Sequence, residues 1–551
     1  MWFFRAVALG LDGTLSENDH LNEITLAAIK ARREELGMIL VTARTFEEME
    51  AAFPGLWSEF DAVVTENGAV LNVGTEARPL ASPVDPSVGR ALADRGIPAK
   101  TGSVLLTLAR EDAAAAADII ADLGLDCQLV HNRGVAMVLP AGVTKGTGLL
   151  AALNELGLSA HNAIAIGDAE NDLALLQTAE IGVAVANAVP SLAAQADLRL
   201  ESSDGAGVAE LLTGQLIAGQ QPWCPRRRSL QVGTFDDGQP VLVPGSQGSV
   251  LITGDSGTGR SYLAGLLAER WIDAGYAVLV LDPKGNHVGL ARRPGVHLVD
   301  VEVQMPSPAD LLRIARPGRA SLVLDLSSLS EAGKSAYLLR MPAAIAAERT
   351  EHGIPHWTIF DEAHLIQQAE AAQSPLPGPS EPGTCIITSR PDMLTAAFQD
   401  AVDVTIVTPG PPLPAANAPV EVPSASISVG AQPPRPFIPA TRASSHVRYQ
   451  HKYTAPPLPF HQSFHFHEPE RATAATLEEF RSHISHCGPD VLEYHLSRGD
   501  FSRWITGTLD EHGLGRRLAA IERDLSHHHA AELERARLRI IDAIDDRSPQ
   551  H

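Results

Sequence analysis

Residues 254–261 read GDSGTGRS, a glycine-rich stretch of G-x-x-x-x-G-x-[ST] spacing. With side chains kept out of the way, the N–H groups from Gly257 to Ser261 would line a cradle for phosphate oxygens at a helix N-terminus. Gly254, Gly257, Thr258, Gly259, Arg260 and Ser261 are therefore the nucleotide-binding candidates, and Ser261 also has the hydroxyl to touch Mg2+. Such loops carry lysine before the Ser/Thr; here the position is Arg260. Its charge is kept, but a planar guanidinium is wider than an ammonium, which predicts retained phosphate affinity and slower turnover. Downstream, HWTIFDEAHLI is an apolar run ending in Asp361, placed to hold Mg2+, and Glu362, placed to polarise a water. CIITSRP ends in Thr388 and Arg390, where a phosphate sensor would stand.

A second set lies nearer the N-terminus. AVALGLDGTL (6–15) is an apolar run followed by Asp12. ILVTAR ends a run in Thr42, whose hydroxyl can bond a phosphate oxygen. VTKGTGLL carries Lys145. AIGDAENDLALL sets Asp168 at a strand end and Asp172 at the next helix start, a spacing suited to binding or orienting Mg2+.

In this order the four segments resemble the motifs of the haloacid dehalogenase (HAD) phosphohydrolases. TENGAVL (Glu66, Asn67, Gly68) and GVAVANAVP resemble their sugar-phosphatase, Cof-type branch. The resemblance implies Mg2+-dependent hydrolysis of a phosphorylated small molecule. Asp12 would be the acid/base, Thr42 and Lys145 would hold the phosphoryl group, and Asp168 and Asp172 would serve the metal. It also exposes a departure. The family's aspartate nucleophile is replaced by Gly10, which can neither attack phosphorus nor ligate a metal.

SVLITGDSGTGRSYLAGLLAERW followed by VLVLDPKGNH resembles HerA/FtsK-type ATPases. That resemblance implies ATP as ligand, an oligomer formed through this domain, and DNA as an alternative partner. The whole chain resembles bacterial fusions of a Cof-like HAD domain, a HerA-like P-loop domain and a small helical domain. The leading reading is a HAD-like phosphohydrolase fused to an ATP-binding P-loop domain, both impaired, by Gly10 and Arg260. The alternatives are a non-catalytic sensor of phosphosugar and nucleotide, or a HerA-like ATPase acting on DNA.

The positioning elements follow from the pattern. Apolar runs at Ala6–Leu11, Met38–Val41, Ala62–Thr65, Ala163–Ile166 and Gly182–Val185 alternate with amphipathic stretches such as Asn22–Leu36 and Lys145–Leu156. This βα alternation predicts a multidomain α/β chain, beginning with a Rossmann-like parallel sheet. The expected division is a HAD-like domain over 1–214 with an α/β cap near 75–140, a linker over 215–229, and a P-loop domain over 230–407 opening on a hairpin at Asp237–Gly238. A Pro-rich connector over 408–460 and a helical domain over 461–551 complete it. Phe501 and Trp504 are expected core of that last domain. RYQHKY (448–453) reads as a linker segment, and His527–His529, which do not share one helix face, as part of a solvated helix. His465 and His467 share one side of a short strand without a third metal ligand in view.

A net charge of −23 opposes broad attraction to nucleic acid or anionic membrane. Four scattered cysteines without a CxxC pair suit free thiols in a reducing cytoplasm. No apolar run approaches a membrane span, and MWFFRAVALG reads as a buried first strand rather than a leader.

Overall fold

The computed structural model describes residues 3–132, 134–219, 223–255, 258–301, 305–316, 319–367, 382–394, 399, 402–408, 425–443, 458, 460–467, 472–509, 512–524 and 530–545. The chain divides into two compact units, Met1–Arg228 with Glu348–Gly353, and Ser229–Ala347 with Ile354–His551.

The first unit is built on an eight-stranded sheet. Six parallel strands come first: Leu198–Arg199, Ile181–Ala184, Ala163–Gly167, Ala6–Gly10, Gly37–Val41 and Ala62–Thr65. Val70–Val73 and Glu76–Pro79 then extend the sheet antiparallel. Parallel strands covered on both faces read as unbroken apolar runs, and all five residues of Ala6–Gly10 are buried. Its two faces feed separate apolar clusters, one with Val7 and Leu9, the other with Ala6 and Ala8. Glu76–Pro79, inside the stretch expected as cap, is thus an edge of the core sheet. The inserted layer itself is a four-stranded antiparallel sheet from Ala99 to Pro140 backed by helices Pro86–Asp94 and Ala113–Leu123. Helix Asp204–Thr213 closes the expected domain, and the short helix Gln215–Ala218 lies in the stretch expected as linker. Arg227 and Arg228 then cap carbonyls of residues 176–180, so this basic run is docked.

The second unit holds an eleven-stranded sheet. Seven strands are parallel, in the order Val404–Thr408, Ser249–Gly254, Thr384–Thr388, Trp357–Phe360, Val278–Asp282, Ser321–Asp325 and Val296–Asp300. Four antiparallel strands continue it: Ala425–Val429, Arg435–Pro439, Leu230–Phe235 and Pro240–Val243. The last two form the hairpin expected at Asp237–Gly238. The first two correct the expected connector, because part of 408–460 is sheet. Ala425, Ile427, Phe437 and Pro439 alternate inward along those strands, and the prolines around them mask that period in composition. Helix Arg260–Asp273 packs on this sheet, and its Trp271 stacks on Trp357 at 3.8 Å between ring centroids. Each indole N–H reaches a carbonyl, Pro244 at 3.1 Å and Gly245 at 2.6 Å.

Among the described residues, five helices between Leu477 and Asp545, with a small hairpin at Phe464–His465 and Thr473–Ala474, make the C-terminal part. Phe464, Phe480, Phe501 and Trp504 meet in its core, as the spacing predicts for the last two. Segments 448–453 and 527–529 lie outside the described residues. Among the described residues no helix is long and apolar enough to cross a membrane, and none of the four cysteines is in a disulfide.

Candidate functional site

Both sets of chemistry-bearing residues gather at carboxyl ends of parallel strands, where an open α/β sheet leaves its crevice. In the first unit Asp12, Thr42 and Asp168 follow Ala6–Gly10, Gly37–Val41 and Ala163–Gly167. Lys145 is the first residue of helix Lys145–Glu155, fixed there by reciprocal capping bonds between Thr144 and Thr147. Gly68, at φ 104°, brings the TENG loop against the backbone of Thr144 and Lys145, an approach a side chain would block.

The contacts are specific. Lys145 Nζ donates to Asp172 Oδ1 at 2.5 Å, and both side chains are buried. Asp172 Oδ2 accepts the N–H groups of Asp168 and Ala169, so Asp172 shapes the loop that presents Asp168. Thr14 Oγ1 donates to Asp168 Oδ1 at 2.8 Å. A β-carbon at Gly10 would lie 2.8 Å from that same Thr14 Oγ1. Asp12 is held by Arg44, whose Nε lies 3.0 Å from Oδ2 and whose Nη2 bridges to Asp19 at 2.5 Å. Burial lowers the Arg44 guanidinium, but its bonds to Asp12 and Asp19 outweigh that and raise it. Thr42 Oγ1 accepts the Arg44 N–H. Glu66, buried at φ 51°, accepts the N–H groups of Ser103, Val104 and Leu105, tying the inserted layer to the core.

In the second unit Gly254 and Gly259 hold φ 148° and 104° on either side of the loop, and Gly257 lies outside the described residues. Thr258 Oγ1 bonds Thr408 Oγ1 at 2.5 Å. Arg260 opens the helix and is buried. Its Nη2 is 3.9 Å from Glu362 Oε1, while Nε and Nη1 have no hydrogen-bond partner among the described residues. Such a cation is under-satisfied for its burial, which suits an anion at the loop. Lys284 Nζ bonds Glu362 Oε1 at 2.6 Å, and Glu362 itself stands at φ 52°. Ser261 Oγ is 3.4 Å from Asp361 Oδ2, and His287 Nε2 is 3.1 Å from the same oxygen. Burial pushes the Asp361 carboxyl up, but the bond and charge of His287, with Arg260 and Lys284, hold it well below the carboxylate range. Thr388 Oγ1 accepts the Arg390 N–H, and the Arg390 side chain is largely exposed beside Asp392.

The family model described as haloacid dehalogenase-like hydrolase matches residues 103–212, which contain Lys145, Asp168 and Asp172 but neither Gly10 nor Asp12. A phosphoglycolate phosphatase of Methanothermobacter thermautotrophicus is 33% identical over 217 residues, spanning 37% of this chain and 96% of that protein. The chain belongs to the haloacid dehalogenase-like hydrolases. Phosphoglycolate phosphatase 2 of Saccharolobus solfataricus is 43% identical over 95 residues, 17% of this chain and 40% of that protein. A solved haloacid dehalogenase-like hydrolase from Bacteroides thetaiotaomicron aligns at 16% identity and a TM-score of 0.34, over 38% of this chain and 98% of that one. A second family model, helicase HerA central domain, matches residues 243–340, ending before Asp361, Glu362 and Thr388. In this HAD-like hydrolase four further residues, not marked by motif spacing, join these sites. Thr14 and Arg44 sit inside quoted motifs, two positions beyond Asp12 and Thr42. Asp282 and His287 lie in VLVLDPKGNH, and the signal for Asp282 is its place at a strand end, as for Asp361.

Proposed function

We propose that the HAD-like domain binds a small phosphomonoester and hydrolyses it several orders of magnitude more slowly than a family member with its nucleophile. The observation that carries this reading is the Gly10–Thr14–Asp168 arrangement, in which a hydroxyl stands where the nucleophile's β-carbon would need room. Thr42 and Lys145 hold the phosphoryl oxygens, and Asp12 is the one remaining acid/base for an attacking water. The relatives named phosphoglycolate phosphatases support a small phosphorylated acid or sugar as ligand. Oxygen donors suit Mg2+, which binds few protein carboxylates and keeps its waters. Asp168 fits as its ligand and Asp172, spent on Lys145 and two N–H groups, as the residue that orients Asp168. Bound Mg2+ supplies charge stabilisation at the phosphoryl oxygens.

In the HerA-like domain the loop from Gly254 to Ser261 binds ATP, with Arg260 facing the phosphates, Ser261 and Asp361 toward the metal, and Glu362 polarising water. The two nitrogens of buried Arg260 without a hydrogen-bond partner among the described residues support the anion. Lys284 neutralises Glu362 at rest, which together with Arg260 keeps turnover slow. Release of inorganic phosphate by the full chain, from ATP and from a phosphomonoester panel with Mg2+ or chelator, tests both halves. The expected result is thermal stabilisation by both ligand classes with little release. Rapid chelator-sensitive release from a phosphomonoester would refute the impairment, and no stabilisation by either ligand would refute the binding.

A further inference from the structure

Neighbouring strands of the second unit end in a row of aspartates. Asp282 sits in register with Asp325, and Asp325 with Asp300. Leu281 pairs with Phe360, so Asp282 and Asp361 follow side by side. Half of this row is already neutralised. Arg516, from helix His512–Arg523, ion-pairs with Asp325 and lies 3.4 Å from Asp300 Oδ2. The other half, Asp282 and Asp361, has no arginine or lysine bonded to its carboxylates among the described residues, although the charge of Arg260 and Lys284 reaches Asp361. Lys284 and Arg260, the nearby cations, turn to Glu362. Among the described residues the Asp282 carboxylate accepts only the backbone N–H groups of Lys284 and His287.

His287 completes the cluster. Asp282, His287 and Asp361 are all buried, and each offers a ligand atom within 4.8 Å of the others. The His287 ring is fully buried, with Nε2 facing Asp361 and Nδ1 without a hydrogen-bond partner among the described residues. Two buried carboxylates at adjacent strand ends repel each other unless a cation lies between them. An imidazole in the donor set selects which cation. Mg2+ takes oxygen and dehydrates reluctantly, whereas nitrogen with carboxylates suits first-row transition dications.

We propose that Asp282, His287 and Asp361 bind a divalent transition cation, of the Zn2+ or Co2+ class, in preference to Mg2+. The inference rests on reading this strand end as a phosphate site, since Ser261 of the glycine-rich loop faces Asp361. It departs from the Mg2+ expected there because that expectation counted only oxygen ligands.

The test titrates metal-free full-length protein with Co2+, followed by visible d–d absorption, and with Zn2+ against a chromophoric chelator. His287→Ala and Asp282→Asn are compared with wild type, and His287→Gln serves if the alanine variant fails to fold by circular dichroism. The expected result is Zn2+ preferred over Mg2+ and a Co2+ spectrum with nitrogen ligation. Either substitution then weakens Zn2+ by about tenfold or more, with the oxygen-only sites unaffected. Unchanged Zn2+ affinity in the variants, or Mg2+ preferred over Zn2+, overturns it. Binding of a fluorescent ATP analogue is measured on the same samples. Its absence beside His287-dependent Co2+ binding refutes the nucleotide reading alone, and nucleotide binding beside His287-independent metal refutes the metal site alone.

Discussion

Gly10 and Thr14 share one space. The Thr14 hydroxyl that donates to Asp168 lies 2.8 Å from where a β-carbon on residue 10 would be. The obstacles are the Thr14 hydroxyl and, at 3.1 Å, its β-carbon, so an aspartate needs both a rotation of Thr14 and a shift of a few tenths of an ångström, a modest overpacking cost. Gly10→Asp is expected to raise Mg2+-dependent phosphomonoester hydrolysis about a hundredfold or more over wild type. Steady-state phosphate release checks this, and a folded Gly10→Asp protein no faster than wild type would show that more than the nucleophile is missing.

Arg260→Lys restores the compact ammonium that fits beneath nucleotide phosphates. ATP turnover is expected to rise about tenfold or more, and to vanish again when Glu362→Gln is added. Coupled-enzyme kinetics decide the matter; turnover that survives Glu362→Gln would move the water-polarising role elsewhere.

Glu66 carries three N–H groups of the inserted layer on one buried carboxylate. Glu66→Ala strands those donors and should cost about 2 to 4 kcal/mol. Urea unfolding gives the energy, and hydrogen exchange at residues 103–105 should quicken in step. Unchanged protection there would mean the layer is anchored by its other contacts.

Gly265 lies directly beneath the guanidinium of Arg442, which is ion-paired to Glu269 at 3.0 Å with both partners buried. Gly265→Ala must displace that pair, and the expected loss is about 2 to 4 kcal/mol despite alanine's better helix propensity. A melting temperature equal to or above wild type would contradict the tight fit.

His495 links stability to pH. Its Nε2 accepts the His467 N–H and its Nδ1 faces Asp500. Burial lowers the imidazole below its ordinary value, and the raising influence of Asp500 does not cancel this. The unfolded chain therefore takes up the proton first. This contribution is complete above the ordinary value of about 6.5 and is lost as pH falls through the lowered folded value. Melting temperatures between about pH 7 and pH 5 should fall less steeply in His495→Gln than in wild type; parallel slopes would rule the linkage out.

Much of this was legible beforehand because parallel strands announce themselves. Ala6–Gly10, Ala163–Gly167 and the first four residues of Val278–Asp282 are unbroken apolar runs, and a residue that follows such a run lands at the crevice. Motif spacing thus locates Asp12, Thr42, Asp168 and Asp361 correctly as strand-end residues. What spacing cannot carry is which neighbour a side chain meets. Arg44 reaching Asp12, Lys284 turned onto Glu362, and His287 beside Asp361 depend on strand order and loop path. The strands Ala425–Val429 and Arg435–Pro439 were hidden for another reason. Their inward positions are few and set among prolines, so composition outweighed a period-two signal only five residues long.

Those two strands also settle where this half of the protein can be cut. Arg435–Pro439 lies between Ala425–Val429 and Leu230–Phe235, so late chain joins the hairpin at 230–243 to the rest of the sheet. An expression fragment ending at 407 would strip the pairing partner from Val404–Thr408 on one side and from Leu230–Phe235 on the other. Raw strand edges of that kind recruit other chains. A fragment for biochemistry should therefore run past Arg442, which also keeps the buried ion pair with Glu269.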